Sequence, residues 1–213
     1  MEKMASTGLS GRQAQAARND ELILAAARAV FTADPGAPIS AVAERAGVGI
    51  SALYRRYQSK EELLRQLSLD GLRRYIAIVE EALADEGDPW NVFARFMQRA
   101  LDADTNSLTL RLAGTFTPTA ELWQEGDRAA RLTTELIART KSAGCLRAGI
   151  EVGDLSLLFE QLAAVEVGDG ARTSQLRHRY LALLLEALRN TDGDPLPGPA
   201  PRWEEISARF APS

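Results

Sequence analysis

The sequence predicts an all-α fold, and three observations carry that prediction. Ala and Leu dominate a composition that is 46% hydrophobic but only 6% aromatic, a balance that favours helices over strands. Apolar residues recur three and four apart through most of the chain, whereas Val and Ile nowhere alternate with polar residues over a useful length. Residues that start helices (Ser, Asp, Pro) and residues that end them (Gly) stand at the edges of these periodic stretches.

The elements follow in order. The first 18 residues are small and polar and are expected to form a frayed arm. From Asp20 the pattern is helical, with Leu22, Ala26 and Val30 four apart and Phe31 beside them, until Asp34-Pro35-Gly36 stops it. A short helix from Ile39 to Ala46 turns Val42, Ala43 and Ala46 inward. Gly47-Val48-Gly49 then makes a tight turn, in which glycine tolerates positive φ. A second short helix, Ile50 to Tyr57, packs through Leu53 and Tyr57. Ser59, with Glu62 three positions on, forms a capping box for a long helix reaching about Asp85. Asp88-Pro89 opens a helix to about Asp104. Further helices are expected at about 106–114, 119–142, 154–166 and 171–190, with Asp154 capping the one that it begins. From Thr191 the sequence TDGDPLPGPAPRW is a Pro/Gly-rich tail before a last helical turn. The expected organisation is residues 1–66, residues 67–190 and a tail over 191–213.

Several function classes lack parts. The chain has one cysteine, Cys145, and one histidine, His178, so multi-thiolate metal sites and Cys/His or Ser/His chemistry are nearly unprovided for. Cys145 lies in a loop-like SAGCLRAG and reads as structural; His178 reads as a surface or interface residue. No paired acid/base set or nucleophile–base pair is visible, so the chain is expected to be neither an enzyme nor a holder of a cofactor or metal. No run of about 18 apolar residues exists and the N-terminus lacks the apolar core of a signal peptide, which predicts a cytoplasmic protein with no membrane span.

The net charge of -4 is uneven: residues 1–66 hold nine Lys/Arg against seven Asp/Glu, and the remainder 16 against 22. The cations of the first part include those of YRRYQSK, residues 54–60, immediately after the glycine turn. Gly47-Val48-Gly49-Ile50-Ser51-Ala52 matches a dinucleotide-binding GxGxxA only as text, because that motif works between a strand and a helix. Helix, short glycine turn, helix is instead a helix-turn-helix, whose second helix enters a DNA major groove. On that helix Ser51, Ala52 and Arg55 point away from Leu53 and Tyr57, with Tyr54 and Arg56 on the flanks. Lys60 stands in the first turn of the next helix, where an acid is normally preferred, and so points to an external anion such as a phosphate.

Residues 20–67, through AAARAVF and ISAVAERAGVGISALYRRYQSKEELL, resemble the N-terminal domain of the TetR family, the tetracycline-repressor-like bacterial regulators. The resemblance implies a three-helix helix-turn-helix domain followed by a helical bundle that binds a ligand and dimerises. It implies that Ser51, Ala52 and Arg55 face bases and that Tyr54, Lys60 and Ser40 contact phosphates. Gly49 and Ile50, which open the recognition helix, complete that set. Gly49 replaces a hydroxyl cap frequent in the family, leaving its phosphate contact to a backbone N–H, and Pro38 replaces the usual cap of the bracing helix. Beyond Leu69 the resemblance is weak. The family plan would make Leu155, Leu158, Phe159, Leu162, Leu176, Tyr180, Leu183 and Leu184 a dimer interface. Candidate pocket residues are Trp90, Phe93, Phe96, Met97, Leu108, Leu112, Phe116, Leu122 and Trp123, although the same side chains would suit an ordinary core. The expected function is a homodimeric regulator, a repressor released from a palindromic DNA operator by a lipophilic or aromatic small molecule. A constitutive DNA-binding protein without effector and a helical-bundle enzyme with an incidental helix-turn-helix are the alternatives.

Overall fold

A computed structural model of the chain describes residues 11–104, 116–190 and 195–210. Among them the regular structure is α-helical, apart from a 3-10 turn at Ala208–Phe210 and an isolated antiparallel bridge between Leu146 and Arg189. No helix of these residues is long and apolar enough to cross a membrane. The chain divides into two compact units, Met1–Leu63 and Leu64–Ser213.

The first unit contains α1 (Gly11–Ala33), α2 (Ile39–Ala46), α3 (Ile50–Arg56) and the first turn of α4 (Lys60–Ala84). α1 starts well before Asp20 because QAQAAR consists of strong helix formers, which a search for apolar period does not see. Its buried face is Ile23, Leu24, Ala26, Ala27 and Phe31, so Ala26 and Phe31 face inward as expected, while Val30 is half-buried and Leu22 is 55% exposed. Val42, Ala43, Leu53 and Tyr57 close this core. α4 is capped by Ser59, whose Oγ accepts from the Glu62 N–H at 3.1 Å; the Glu62 carboxylate in turn accepts from the Gln58 N–H at 2.7 Å.

The second unit holds the rest of α4, then α5 (Pro89–Asp102), α6 (Ala120–Ser142), α7 (Val152–Ala163), α8 (Gly170–Leu188) and α9 (Trp203–Ser207). Asp88 caps α5 through the Asn91 N–H at 2.9 Å, with Pro89 at the first helical position. α7 begins at Val152, and Asp154 is its third residue: its carboxylate reaches back to the Glu151 N–H at 2.8 Å and is not the N-cap expected for it. Two arginines close helix ends from other elements. Arg139 donates to Leu83 O at 2.7 Å, and Arg177 donates to Ala163 O at 2.7 Å, satisfying terminal carbonyls that no helix can satisfy internally.

Trp90, Phe93, Phe96 and Met97, the larger part of the expected pocket, instead form the centre of this unit's core, all at most 8% exposed. Tyr75 meets Phe96 edge to face at 5.8 Å. The reason is amphipathicity: α5 turns its whole aromatic stripe to one side and buries it. Leu155, Phe159 and Leu162, expected at a dimer interface, belong to the same core at 3% exposure or less. Leu108, Leu112 and the helix expected over 106–114 lie outside the described residues.

The Pro/Gly-rich C-terminal stretch ends in a segment folded onto the second unit. Ile206 is 5% exposed. The Trp203 indole N–H donates to Asp127 at 3.0 Å, and Arg209 holds both oxygens of Glu160 at 2.7 and 2.8 Å. Pro201 presses its carbonyl against Gly153, where a Cβ would come within 2.1 Å of the oxygen.

Candidate nucleic-acid interface and effector cavity

The helix-turn-helix is built by backbone geometry first. Gly47 ends α2 with φ 65°, a left-handed conformation that suits glycine. Its N–H bonds back to Glu44 O at 3.1 Å, and the Val48 N–H bonds to Ala43 O at 3.0 Å. Gly49 caps α3 with no side-chain bond. Leu53 and Tyr57, at 0% and 1% exposure, fix the inner face of α3. Gly49, Ile50, Ser51, Tyr54 and Arg55 are left exposed and Ala52 half-exposed, while Ser40 is exposed in the first turn of α2. Tyr54 and Arg55 have no hydrogen bond or ion pair among the described residues.

Arg56, Tyr57, Ser59 and Lys60 of YRRYQSK are instead engaged inside the unit. Arg56 grips Asp20 with two bonds, from Nε at 2.8 Å and Nη2 at 2.5 Å, and the Tyr57 hydroxyl donates to the same carboxylate at 2.7 Å. Burial by itself would raise the Asp20 pKa; the bonds from Arg56 and Tyr57 outweigh it and hold the carboxyl below its usual 3.8. This clamp ties α1 to the end of α3. Nothing in the sequence announces it, because its partners are 36 and 37 positions apart. Lys60 also differs from its expected setting. Its ammonium donates to Pro35 O at 3.1 Å and Ala37 O at 2.7 Å and lies 5.0 Å from the Phe31 ring centre. It fastens the turn after α1, leaving one N–H uncommitted by these two bonds.

The second unit contains an apolar cavity of about 120 Å³ between α4, α6, α7 and α9. Of the expected pocket residues, Phe116, Leu122 and Trp123 line it. Leu72, Tyr75, Thr133, Ser156 and Trp203 line it as well and were missed. The hydroxyl residues have no sequence signature, and Trp203 reaches the cavity only because the C-terminal segment folds back. Tyr75 Oη lies 3.0 Å from Thr133 Oγ1. Burial pushes the Tyr75 pKa up to about 12, against a smaller lowering by the Thr133 bond. On the outer side of α8, Tyr180 and Leu183 are 47% and 58% exposed, and Leu176 and Leu184 are half-buried, as is Leu158 on α7. His178 faces Asp102 at 2.7 Å. Cys145 is a half-buried free thiol whose carbonyl accepts from the Asn190 N–H at 2.8 Å. Among the described residues, no group of three His, Cys, Asp or Glu side chains could hold a metal ion.

Comparison with known proteins agrees with this geometry. The family model for bacterial regulatory proteins of the tetR family matches residues 23–67. No curated protein matches the chain. Among solved structures, the chain resembles the TetR transcriptional regulator SCO0520 from Streptomyces coelicolor, at 24% identity and TM-score 0.60, over 81% of this chain and 99% of that one. It resembles the TetR regulatory protein from Mycobacterium vanbaalenii at 25% identity and TM-score 0.59, over 83% and 98%. The TetR-like regulator LfrR from Mycobacterium smegmatis, solved in complex with proflavine, aligns at 22% identity and TM-score 0.59, over 84% and 99%. The structural likeness establishes the fold, and the family match concerns the N-terminal domain. Residues 23–67 thus carry the DNA-binding domain of the tetR family of bacterial regulatory proteins, on a chain whose fold is that of solved TetR-family transcriptional regulators.

Proposed function

We propose that the chain represses transcription as a homodimer and leaves a palindromic operator when a small lipophilic or aromatic effector fills the cavity of the second unit. It acts by binding and not by catalysis. The observation that carries the DNA-binding half is the outer face of α3, where small residues at Ser51 and Ala52 flank an exposed, uncommitted Arg55 and Tyr54. Ser51, Ala52 and Arg55 would read base edges; Ser40, Tyr54 and the backbone at Gly49 and Ile50 would hold phosphates. Lys60 would add a phosphate contact only through its remaining N–H. A two-fold dimer through Tyr180, Leu183 and their half-buried neighbours Leu158, Leu176 and Leu184 would present two recognition helices. Their half-sites would lie about 34–36 Å apart on one DNA face.

The cavity supports the effector half, as does LfrR, a protein of this fold seen in complex with proflavine. α4 runs unbroken from Lys60 to Leu72, which lines the cavity, so one helix carries both sites. Coupling of about 1–3 kcal/mol would lower operator affinity roughly 5- to 150-fold.

The test is selection of duplex DNA by the purified protein, followed by affinity measurement over a salt titration. Arg55→Ala is expected to weaken the selected site and relax base preference at one position, by about 1–3 kcal/mol. Tyr54→Phe is expected to weaken all sequences alike. If both variants bind the selected duplex like wild type, the assigned face of α3 is wrong.

A further inference from the structure

We infer that residues 201–210 form a strap across one wall of the cavity, that this strap undocks while the rest of the unit stays folded, and that a ligand in the cavity holds it down. The inference rests on the proposal that this cavity is the effector site.

The wall comes first. Trp203, Ile206 and Ser207 border the cavity from the C-terminal segment, while Leu72, Tyr75 and Thr133 border it from α4 and α6. Two glycines seat the strap. Gly153 of α7 leaves the room that the Pro201 backbone occupies, and the edge of the Trp203 ring comes within 3.8 Å of where a Cβ on Gly126 of α6 would stand. The Trp203 indole N–H donates to Asp127 at 3.0 Å, so one side chain is both an anchor of the strap and a piece of the wall.

The strap is lightly held. Ile206 is the buried residue of α9. Among the described residues, the hydrogen bonds from α9 and the turn after it to other elements are the Trp203–Asp127 bond and the Arg209–Glu160 pair. An exposed ion pair contributes little. α9 has five residues, too few to remain helical in water alone, so its amides lose protection when it leaves its seat. An element with so little buried surface opens locally far more often than the whole domain unfolds. The stretch leading into it is PLPGPAP, residues 195–201, of which 195–199 are exposed. Its prolines fix their own φ and hold the residues before them extended. Rotation is therefore concentrated at Gly198, which stands at φ 74° and is the hinge of the strap.

A ligand touches Trp203 and Ile206 only while the strap is docked. It therefore binds the docked state more tightly and shifts the opening equilibrium toward it. The coupling is reciprocal: whatever loosens the strap weakens the ligand.

The test is hydrogen exchange of the full chain, without and with benzene or toluene, alongside calorimetry for affinity. Both probes suit an apolar cavity of this size. The amides of Glu205, Ile206 and Ala208, bonded to Arg202 O and Glu204 O, report the strap. They are expected to exchange at least about a hundredfold faster than those of Leu136 and Ile137, buried in α6. With probe at about ten times its Kd they should slow by up to about elevenfold. Gly153→Ala displaces the Pro201 backbone and Asp127→Ala removes the partner of the indole, and neither residue is among those lining the cavity. Each variant should speed strap exchange and weaken probe binding. Strap amides as slow as those of α6 would overturn the undocking. Probe binding that leaves strap exchange unchanged, or that is as tight in the loosened variants as in wild type, would overturn the link and leave the cavity as the effector site. Failure of both probes to bind would overturn the effector reading of the cavity itself, and this inference with it.

Discussion

Gly153→Ala tests the docking of the C-terminal segment with one added methyl. Gly153 is the second residue of α7, where helix propensity alone favours alanine by up to about 1 kcal/mol. The structure reverses the sign. An added Cβ would lie 2.1 Å from Pro201 O, 2.8 Å from its carbonyl carbon and 3.0 Å from its Cβ. Backbone cannot swing aside as a side-chain tip can, so the segment has to retreat by about 1 Å to restore contact distance. Retreat withdraws Ile206, whose burial is worth about 1.5–3 kcal/mol. It also breaks the Trp203–Asp127 bond, at about 0.5–1.5 kcal/mol. The exposed Arg209–Glu160 pair adds no more than about 1 kcal/mol. Set against the propensity gain, the net loss is about 1–4 kcal/mol. Urea denaturation gives the magnitude, and the emission of Trp203 reports undocking. Gly170→Ala, at the start of α8 with no atom near its would-be Cβ, is the control and should be neutral or slightly stabilising. A Gly153→Ala protein as stable as wild type with an unchanged tryptophan spectrum would refute the packing argument.

Three further outcomes are expected. The Asp20 carboxyl has a folded pKa below its unfolded 3.8, so the clamp's contribution is complete above about pH 4 and is lost as pH falls through the lower folded value. Denaturant melts between about pH 2 and 6 should therefore show a shallower acid limb for Asp20→Asn, and an unchanged limb would count against the clamp. Tyr75 runs the other way: its pKa rises from 10.0 to about 12 on folding, so stability of about 3 kcal/mol is held below pH 10 and lost as pH climbs to 12. Tyr75→Phe should flatten that alkaline limb, and an equally steep loss in the variant would place its cause elsewhere. Leu183→Glu, at a site 58% exposed, should leave the fold within about 0.5 kcal/mol but give monomers in sedimentation. Phe159→Glu, at a site 3% exposed, should unfold the protomer. A dimeric Leu183→Glu protein would move the interface elsewhere.

The sequence by itself determined the all-α class, the boundaries of most helices and the helix-turn-helix. Those features depend on neighbours a few positions apart: Ser59 with Glu62, Asp88 with Pro89, the glycines at 47 and 49, and the three- and four-residue spacing of Leu and Ala. Local spacing also showed that α5 and α7 each have an apolar face. It did not show what the face meets, and there the tertiary structure decided. A buried stripe reads the same whether it closes a core, lines a cavity or waits for a second subunit. Trp90, Phe93, Phe96 and Met97 proved to be core, as did Leu155, Phe159 and Leu162, while Phe116 and Trp123 border the cavity. The same distinction separates the cations of YRRYQSK. Arg55 is exposed and Arg56 and Lys60 are engaged, because Asp20 and the carbonyls of Pro35 and Ala37 are brought to them only by the packing of α1. Trp203 shows the greatest distance between the two levels. Its stretch reads as a tail by composition, yet it walls the cavity because Gly153 lets the Pro201 backbone approach and Ile206 leaves water. Composition measures how freely a chain bends, and burial depends on where the bend takes it.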